Sequence, residues 1–355
     1  MGRKLIFQVL FGTMAILLSF HCQASAVGYV RVGSRMVKES SAWWLCLGGN
    51  AKIAQDQTSG IEVIPTSGRL RTQLPEFQFL TVGDDSGQIF AFSVGGKFVK
   101  SMKAFRVPHW KRPIDLEGIA IIPQTGEIAV TLESFDTKVQ ILKVNEGGLS
   151  LDEEIILEPP QGYVSKSNLG PEGIAFISEE SYLVVGWEGR TSFPRLRPVL
   201  SFYKLFLGQD EVRSYRFIRH IRLPTEVKTC SALFYIEKAK TLLILDRNEN
   251  ALHALPNFPP PSFEAGKFSL ECAPVLSMKF AGITDPFGKE FSYYSFEGMS
   301  VNENGDLFVV TDPWRSYNYL TYRPLYSEPD AYYQLFVPQM FQFQGFLQVF
   351  MDELL

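Results

Sequence analysis

The amino-acid sequence predicts an all-β fold, a β-propeller of five blades, from three observations. A Glu-Gly phrase opens the same unit three times, in EGIAIIPQTGEIAVTLE from residue 117, EGIAFISEESYLVVGWE from 172 and EGMSVNENGDLFVVTD from 297. Each copy runs through an apolar strand, a turn and a second apolar strand to an acidic residue. With two degenerate copies, the units start near residues 59, 117, 172, 230 and 297, spaced 58, 55, 58 and 67 residues apart. Helical periodicity is almost absent, and strand-turn-strand patterns at short spacing mark antiparallel sheet. Strand-only units at such a period suit propeller blades, which have four strands and run roughly 40–50 residues before insertions.

In chain order, the N-terminus reads as an export signal. Arg3 and Lys4 precede an apolar run over residues 5–20 in which only Gln8 is clearly polar, and Ala24-Ser25-Ala26 fits a small-x-small cleavage site. The run is shorter than the ~20 residues of a bilayer span. The expectation is a cleaved signal peptide over residues 1–26, then one secreted or periplasmic propeller domain over 27–355. Residues 27–50 hold an alternating strand and an aromatic cluster, expected to close the ring. Joined with the tail, they are the alternative, a sixth blade.

The first unit is degenerate, with Ser59 where the others have Glu; residues 79–87, 88–94 and 97–105 then follow as strands, with Gly95-Gly96 as a turn. KVQILKV from 138 and VLSFYKLF from 199 add strands to the second and third units. The fourth unit, CSALFY from 230 and TLLILD ending at Asp246, has Cys230 in place of the Glu. The fifth lacks outer strands unless the Tyr-, Phe- and Gln-rich tail after Tyr319 supplies them. Residues 337–346 are read as that strand, the alternative being an apolar surface for a partner or a membrane.

Composition narrows the function. Hydrophobic residues make up 46% of the 355 and charged residues 20%, which describes a chain with a large core. Removing residues 1–26 leaves 32 basic against 38 acidic side chains, a formal charge of −6. That excludes a nucleic-acid partner, which needs a basic face, and is compatible with divalent cations. Cys46, Cys230 and Cys272 remain, too scattered for zinc; one disulfide is expected, with Cys230–Cys272 the nearer pair in sequence. No nucleophile elbow, phosphate-cradling glycine loop or zincin motif is present, and His109, His220 and His253 are isolated.

The recurring carboxylates remain. The first strand of each blade lines the central channel, so Glu117, Glu172 and Glu297 are expected to meet at one end of it. Crowded carboxylates raise one another's pKa unless a cation compensates, and an all-oxygen set suits Ca²⁺. The plainer alternative is that each Glu accepts backbone hydrogen bonds and each Gly serves a bulge or a positive φ. A second acidic set, Asp85 (or Asp84), Glu133, Glu188, Asp246 and Asp312, ends the second strand of each unit, where turn capping or pairing with arginine is the ordinary role. Arg190, Arg247 and Arg315 lie beside these positions and are candidates to hold an anionic or phosphorylated ligand.

The segments DLEGIAIIPQTGEIAV, NLGPEGIAFISEESYLVV, CSALFYIEKAKTLLILDRNEN and SFEGMSVNENGDLFVVTD resemble the phytase-like family, also called the esterase-like activity of phytase domain, and the related SdiA-regulated propellers. The resemblance covers residues 59–345 and rests on the Glu-Gly blade starts and the leucine-acid-arginine strand end. It implies an exported propeller with calcium at Glu117, Glu172 and Glu297, and phosphoester hydrolysis more loosely. Ser59 and Cys230 depart from the pattern, and no dense Lys/Arg cluster awaits a polyphosphorylated substrate. Two functions follow as expectations: a calcium-dependent phosphoesterase, or a non-catalytic binding or scaffold propeller with a structural ion.

Overall fold

A strand whose residues are apolar at nearly every position must be covered on both faces, and this chain has many. All six residues of the segment Tyr182–Trp187 are buried, as are all six of Thr241–Asp246. The computed structural model describes residues 28–47, 58–83, 86–108, 115–133, 137–163, 170–189, 196–207, 213–259, 275–283, 295–311 and 338–354. The expected signal peptide lies outside them.

After a hairpin of β1 (Tyr29–Val32) and β2 (Arg35–Leu47), four-strand antiparallel meanders follow one another. The first is β3 (Thr58–Val63), β4 (Phe79–Gly83), β5 (Gln88–Gly95) and β6 (Phe98–Arg106). The second is β7 (Leu116–Ile122), β8 (Glu127–Leu132), β9 (Lys138–Asn145) and β10 (Gly148–Ile156). The third is β11 (Pro171–Ile177), β12 (Tyr182–Trp187), β13 (Val199–Leu207) and β14 (Arg213–Arg222). The fourth is β15 (Ala232–Ile236), β16 (Thr241–Asp246), β17 (Ala251–Leu255) and β18 (Leu276–Ala281). The fifth pairs β19 (Phe296–Val301), β20 (Leu307–Thr311), β21 (Gln339–Phe343) and then β2. The fold is an all-β propeller.

The apolar cores lie between sheets. Leu80 and Val82 of the first unit pack with Ile119 and Val130 of the second. Ala129 and Ile141 meet Ile174 and Val185, and Val184 and Leu200 meet Leu233 and Ile244. Leu243 and Leu252 meet Met299 and Val309, while Phe308 and Val310 meet Ile61 and Phe79 back in the first unit. Each sheet is thus buried on both faces and the innermost strands form a ring, β3 beside β7, then β11, β15, β19 and β3 again.

The N-terminal segment closes that ring as expected. β1 pairs on the outer edge of β18 in the fourth unit, and β2 forms the outermost strand of the fifth. Farther along, β2 runs parallel to β6 of the first unit through Trp44 and Leu47. The tail supplies β21 inside the fifth sheet, so the described parts of the N-terminal segment and tail extend existing sheets and do not build another. Two helices were not expected: α1 (Arg69–Gln73) and α2 (Phe346–Leu354). In α2, Phe346 and Phe350 are one turn apart and buried with their rings stacked at 5.8 Å, while Asp352 and Glu353 reach Arg35 and Ser34.

Candidate functional site

The Glu-Gly phrase has a steric cause. Pairing shifts register between Leu116 and Ile119, between Pro171 and Gly173, and between Phe296 and Gly298, so each inner strand carries a bulge at this phrase. Neighbouring inner strands also approach closely there. A Cβ on Gly118 would stand 2.5 Å from the Glu172 carbonyl oxygen, and one on Gly298 would stand 2.6 Å from that of Ser59. The glycines are present for the bulge and the close approach; neither adopts a positive φ.

The bulges bring Glu117, Glu172 and Glu297 to the same end of the ring, all buried. Burial raises the Glu172 carboxyl well above the ordinary range; Glu117, Glu188 and Glu297 push it further up, and Arg247 alone pulls it down. Arg247 donates from Nη1 to Glu297 Oε1 at 2.5 Å and from Nη2 to Glu188 Oε1. Burial still raises the carboxyls of Glu188 and Glu297 against the pull of that guanidinium. Oε2 of Glu297 is buried and has no hydrogen-bond partner among the described residues.

Among the described residues, the carboxylates close enough to share an ion are a different set from the expected three. Asp115, Glu117 and Glu133 offer one oxygen each, all within 4.8 Å of one another. Glu117 belongs to both sets, whereas Glu297 is drawn off by Arg247. Glu133 Oε1 also accepts the Gly170 backbone N–H at 2.5 Å, linking the second unit to the third. Asp115, one residue ahead of β7, was not singled out from the sequence.

Strand register corrects the fourth unit. Ile177 pairs with Tyr182 in the third unit and Ile236 with Thr241 in the fourth, so Ser231 occupies the position of Glu172, Ala232 that of Gly173, and Arg247 that of Glu188. Cys230 therefore does not replace the Glu, and Asp246 is not the counterpart of Glu133 and Glu188. Asp246 instead organises its own loop, accepting from Lys228 N–H at 2.6 Å, Thr229 Oγ1 at 2.9 Å and Glu249 N–H at 3.1 Å. Burial alone would raise its carboxyl, but His253 and these donors hold it below the usual range.

Arg247, expected as an anion ligand, is committed to two carboxylates. Arg190, Arg315, Asp85 and Asp312 lie outside the described residues. Cys230 is a buried free thiol, pushed up by desolvation, so it takes no part in a disulfide, the nearer pairing with Cys272 included; Cys272 lies outside the described residues. No helix among the described residues is long and apolar enough to cross a membrane.

No family model and no curated protein matches the chain. Among solved structures it is similar to a protein of unknown function from Bacteroides caccae, with 9% identity and a TM-score of 0.34 over 65% of this chain and 64% of that one. It is also similar to Kuenenia stuttgartiensis hydrazine synthase, with 8% identity and a TM-score of 0.38 over 66% and 65%. The chain spans less than two thirds of either, and likenesses this distant carry no argument about activity.

Proposed function

We propose that this is an exported, phytase-like, five-bladed propeller protein that holds a divalent cation, Ca²⁺ by the chemistry of its ligands, where the inner strands begin. The observation that carries the reading is the convergence of Asp115, Glu117 and Glu133 within 4.8 Å. The unpartnered buried oxygen of Glu297 and the excess of carboxylates over Arg247 support it. An oxygen-only set suits Ca²⁺, which takes 6–8 oxygens, about half of them left here to carbonyls and water. The ion joins a strand start to the end of its neighbour, a role a binding or scaffold propeller needs.

Thermal unfolding with Ca²⁺ and with chelator tests this. An ion that binds only the folded ring adds about 2.7 kcal/mol at 100 times its Kd, and Glu117→Gln or Glu133→Gln removes the gain. No gain in the wild type, or an undiminished gain in both variants, rules the site out.

One observation favours a second reading, a phosphoesterase. Glu172 is a buried carboxyl whose affinity for its proton is raised by burial and by the carboxylates around it, the direction a general acid requires. A bound cation would polarise a phosphoryl oxygen of a small phosphorylated ligand. Calcium-dependent turnover of p-nitrophenyl phosphate that Glu172→Gln abolishes, with the calcium stabilisation intact, establishes the enzyme; stabilisation without turnover leaves the structural ion.

A further inference from the structure

The opposite end of the channel, where the inner strands finish, widens into a cavity of about 660 Å³. Ends of β3, β7, β11, β15 and β19 all contribute to its wall, including Glu62, Ile121, Phe176, Tyr235 and Val301. Small-molecule sites run ~300–1,000 Å³, mostly apolar with a few polar groups that fix orientation. Two carboxyls of the wall are buried, Glu62 at 8% and Asp306 at 7% exposed, and Glu62 is the one with a single side-chain partner. Its Oε2 accepts from Ser300 Oγ at 2.8 Å, and the same hydroxyl accepts the Val63 backbone N–H at 3.1 Å.

The other charged groups of the wall are engaged or face solvent. Arg71 donates to the carbonyls of Ile64, Pro65 and Phe77. Glu303 accepts from Thr66, Glu237 from the Ser178 N–H, and Asp306 from Asn302 Nδ2, Gln342 Nε2 and the Gly345 N–H. Lys238 is exposed. With Glu62 ionised, four acids stand against two bases and the cavity favours a cation.

We propose that this cavity binds a small organic amine, its ammonium meeting Glu62 and Ser300 and its apolar body lying among Ile121, Phe176 and Tyr235. An ammonium supplies donors to a carboxylate and a hydroxyl that both accept, and aromatic walls add cation–π attraction. Burial has pushed Glu62 up to about 8, so near neutral pH it holds a proton. Arrival of the cation favours the ionised form, and binding expels that proton. An anionic ligand gains nothing from such a wall. This site is separate from the carboxylates at the strand starts.

Calorimetry at pH 7 with tryptamine, indole and indole-3-propionate, in two buffers of different ionisation enthalpy, tests the proposal. Tryptamine is expected to bind saturably with release of up to one proton, and the other two more weakly. Glu62→Gln should weaken tryptamine about tenfold or more, the worth of a charge-assisted hydrogen bond, and abolish proton release. Ser300→Ala, measured alongside, should weaken it less and covers the case in which Glu62→Gln does not fold. Absence of saturable binding, equal affinity for indole, or unchanged affinity in the variants that fold overturns the amine site. The calcium response at the other end is unaffected by either outcome, so the two sites stand or fall separately.

Discussion

At the strand starts, Glu172 lies buried among Glu117, Glu188 and Glu297 with one guanidinium between them; at the strand ends, Glu62 lies buried with one hydroxyl and an open cavity. Both ends raise the pKa of a glutamate, and burial is the leading cause at each. What differs is the company. The crowded end has surplus negative charge and tightly packed backbone, and it needs a cation to remain ionised. At the open end Glu62 has no carboxylate among the causes that raise it, only burial, and it relaxes by keeping its proton. Burial of a carboxyl therefore does not by itself mark an ion site; the number of neighbouring carboxylates and the room for a ligand decide which chemistry is available.

The largest effect should come from removing the crowded end's own cation. Arg247→Met leaves Glu188 and Glu297 buried without their partner, and breaking a buried pair this way costs about 3–5 kcal/mol. Urea unfolding at pH 8 should show the full loss. Toward pH 5 it should shrink, because the stranded carboxyls take up protons in the folded state that the unfolded chain has not yet bound. A loss under about 1 kcal/mol, within the range of exposed ion pairs, means Arg247 is not what holds that end together.

Arg247 also shows where sequence reading stops. The Glu-Gly units, their strands and the closing role of the N-terminus were legible because burial on both faces writes apolar runs at a fixed period. Arg247 was misplaced because fifteen residues separate both Cys230 from Asp246 and Ser231 from Arg247, so spacing fits either alignment. The turn decides: four residues separate Ile177 from Tyr182 and four separate Ile236 from Thr241, and counting from there puts an arginine where two other units have glutamate. Glu62 drew no attention because a polar residue within Ile-Glu-Val-Ile reads as the solvent face of a strand, and only ring closure turns that face into a channel. Asp115 escaped because its neighbours become neighbours only once Glu133, at the end of the adjoining strand, folds back beside it.

The open end gives the second effect, with a pH signature. Glu62 in the folded state titrates at about 8, above its ordinary 4.5. Between those values the folded chain holds a proton that the unfolded chain has lost, so stability falls as pH rises across that window. Glu62→Gln removes this contribution: the variant should gain on the wild type as pH rises from about 5 to 8, by up to several kcal/mol. The slope flattens only in part, since Glu172, Glu188 and Glu297 remain at the other end. Parallel stability curves for variant and wild type show that Glu62 is not held neutral.

The smallest effect concerns packing, and it asks whether the crowded end is crowded in backbone as well as in charge. Gly118→Ala places a methyl 2.5 Å from the Glu172 carbonyl oxygen and 2.9 Å from Thr131 Oγ1, the hydroxyl that accepts the Gly118 N–H. Backbone cannot yield as a flexible side chain does, so the neighbouring inner strand must shift, at about 1–3 kcal/mol for overpacking. The fourth unit already carries Ala232 at this position, buried, with Ser231 before it in place of the Glu. A methyl is therefore tolerable where no carboxylate is held against the next strand. Gly118→Ala should destabilise the protein and also weaken its response to calcium, because the shift displaces Glu117 and Glu172 together. Loss of stability with the calcium response intact means the glycine serves the bulge alone, and the close approach of the strands has nothing to do with holding the ion.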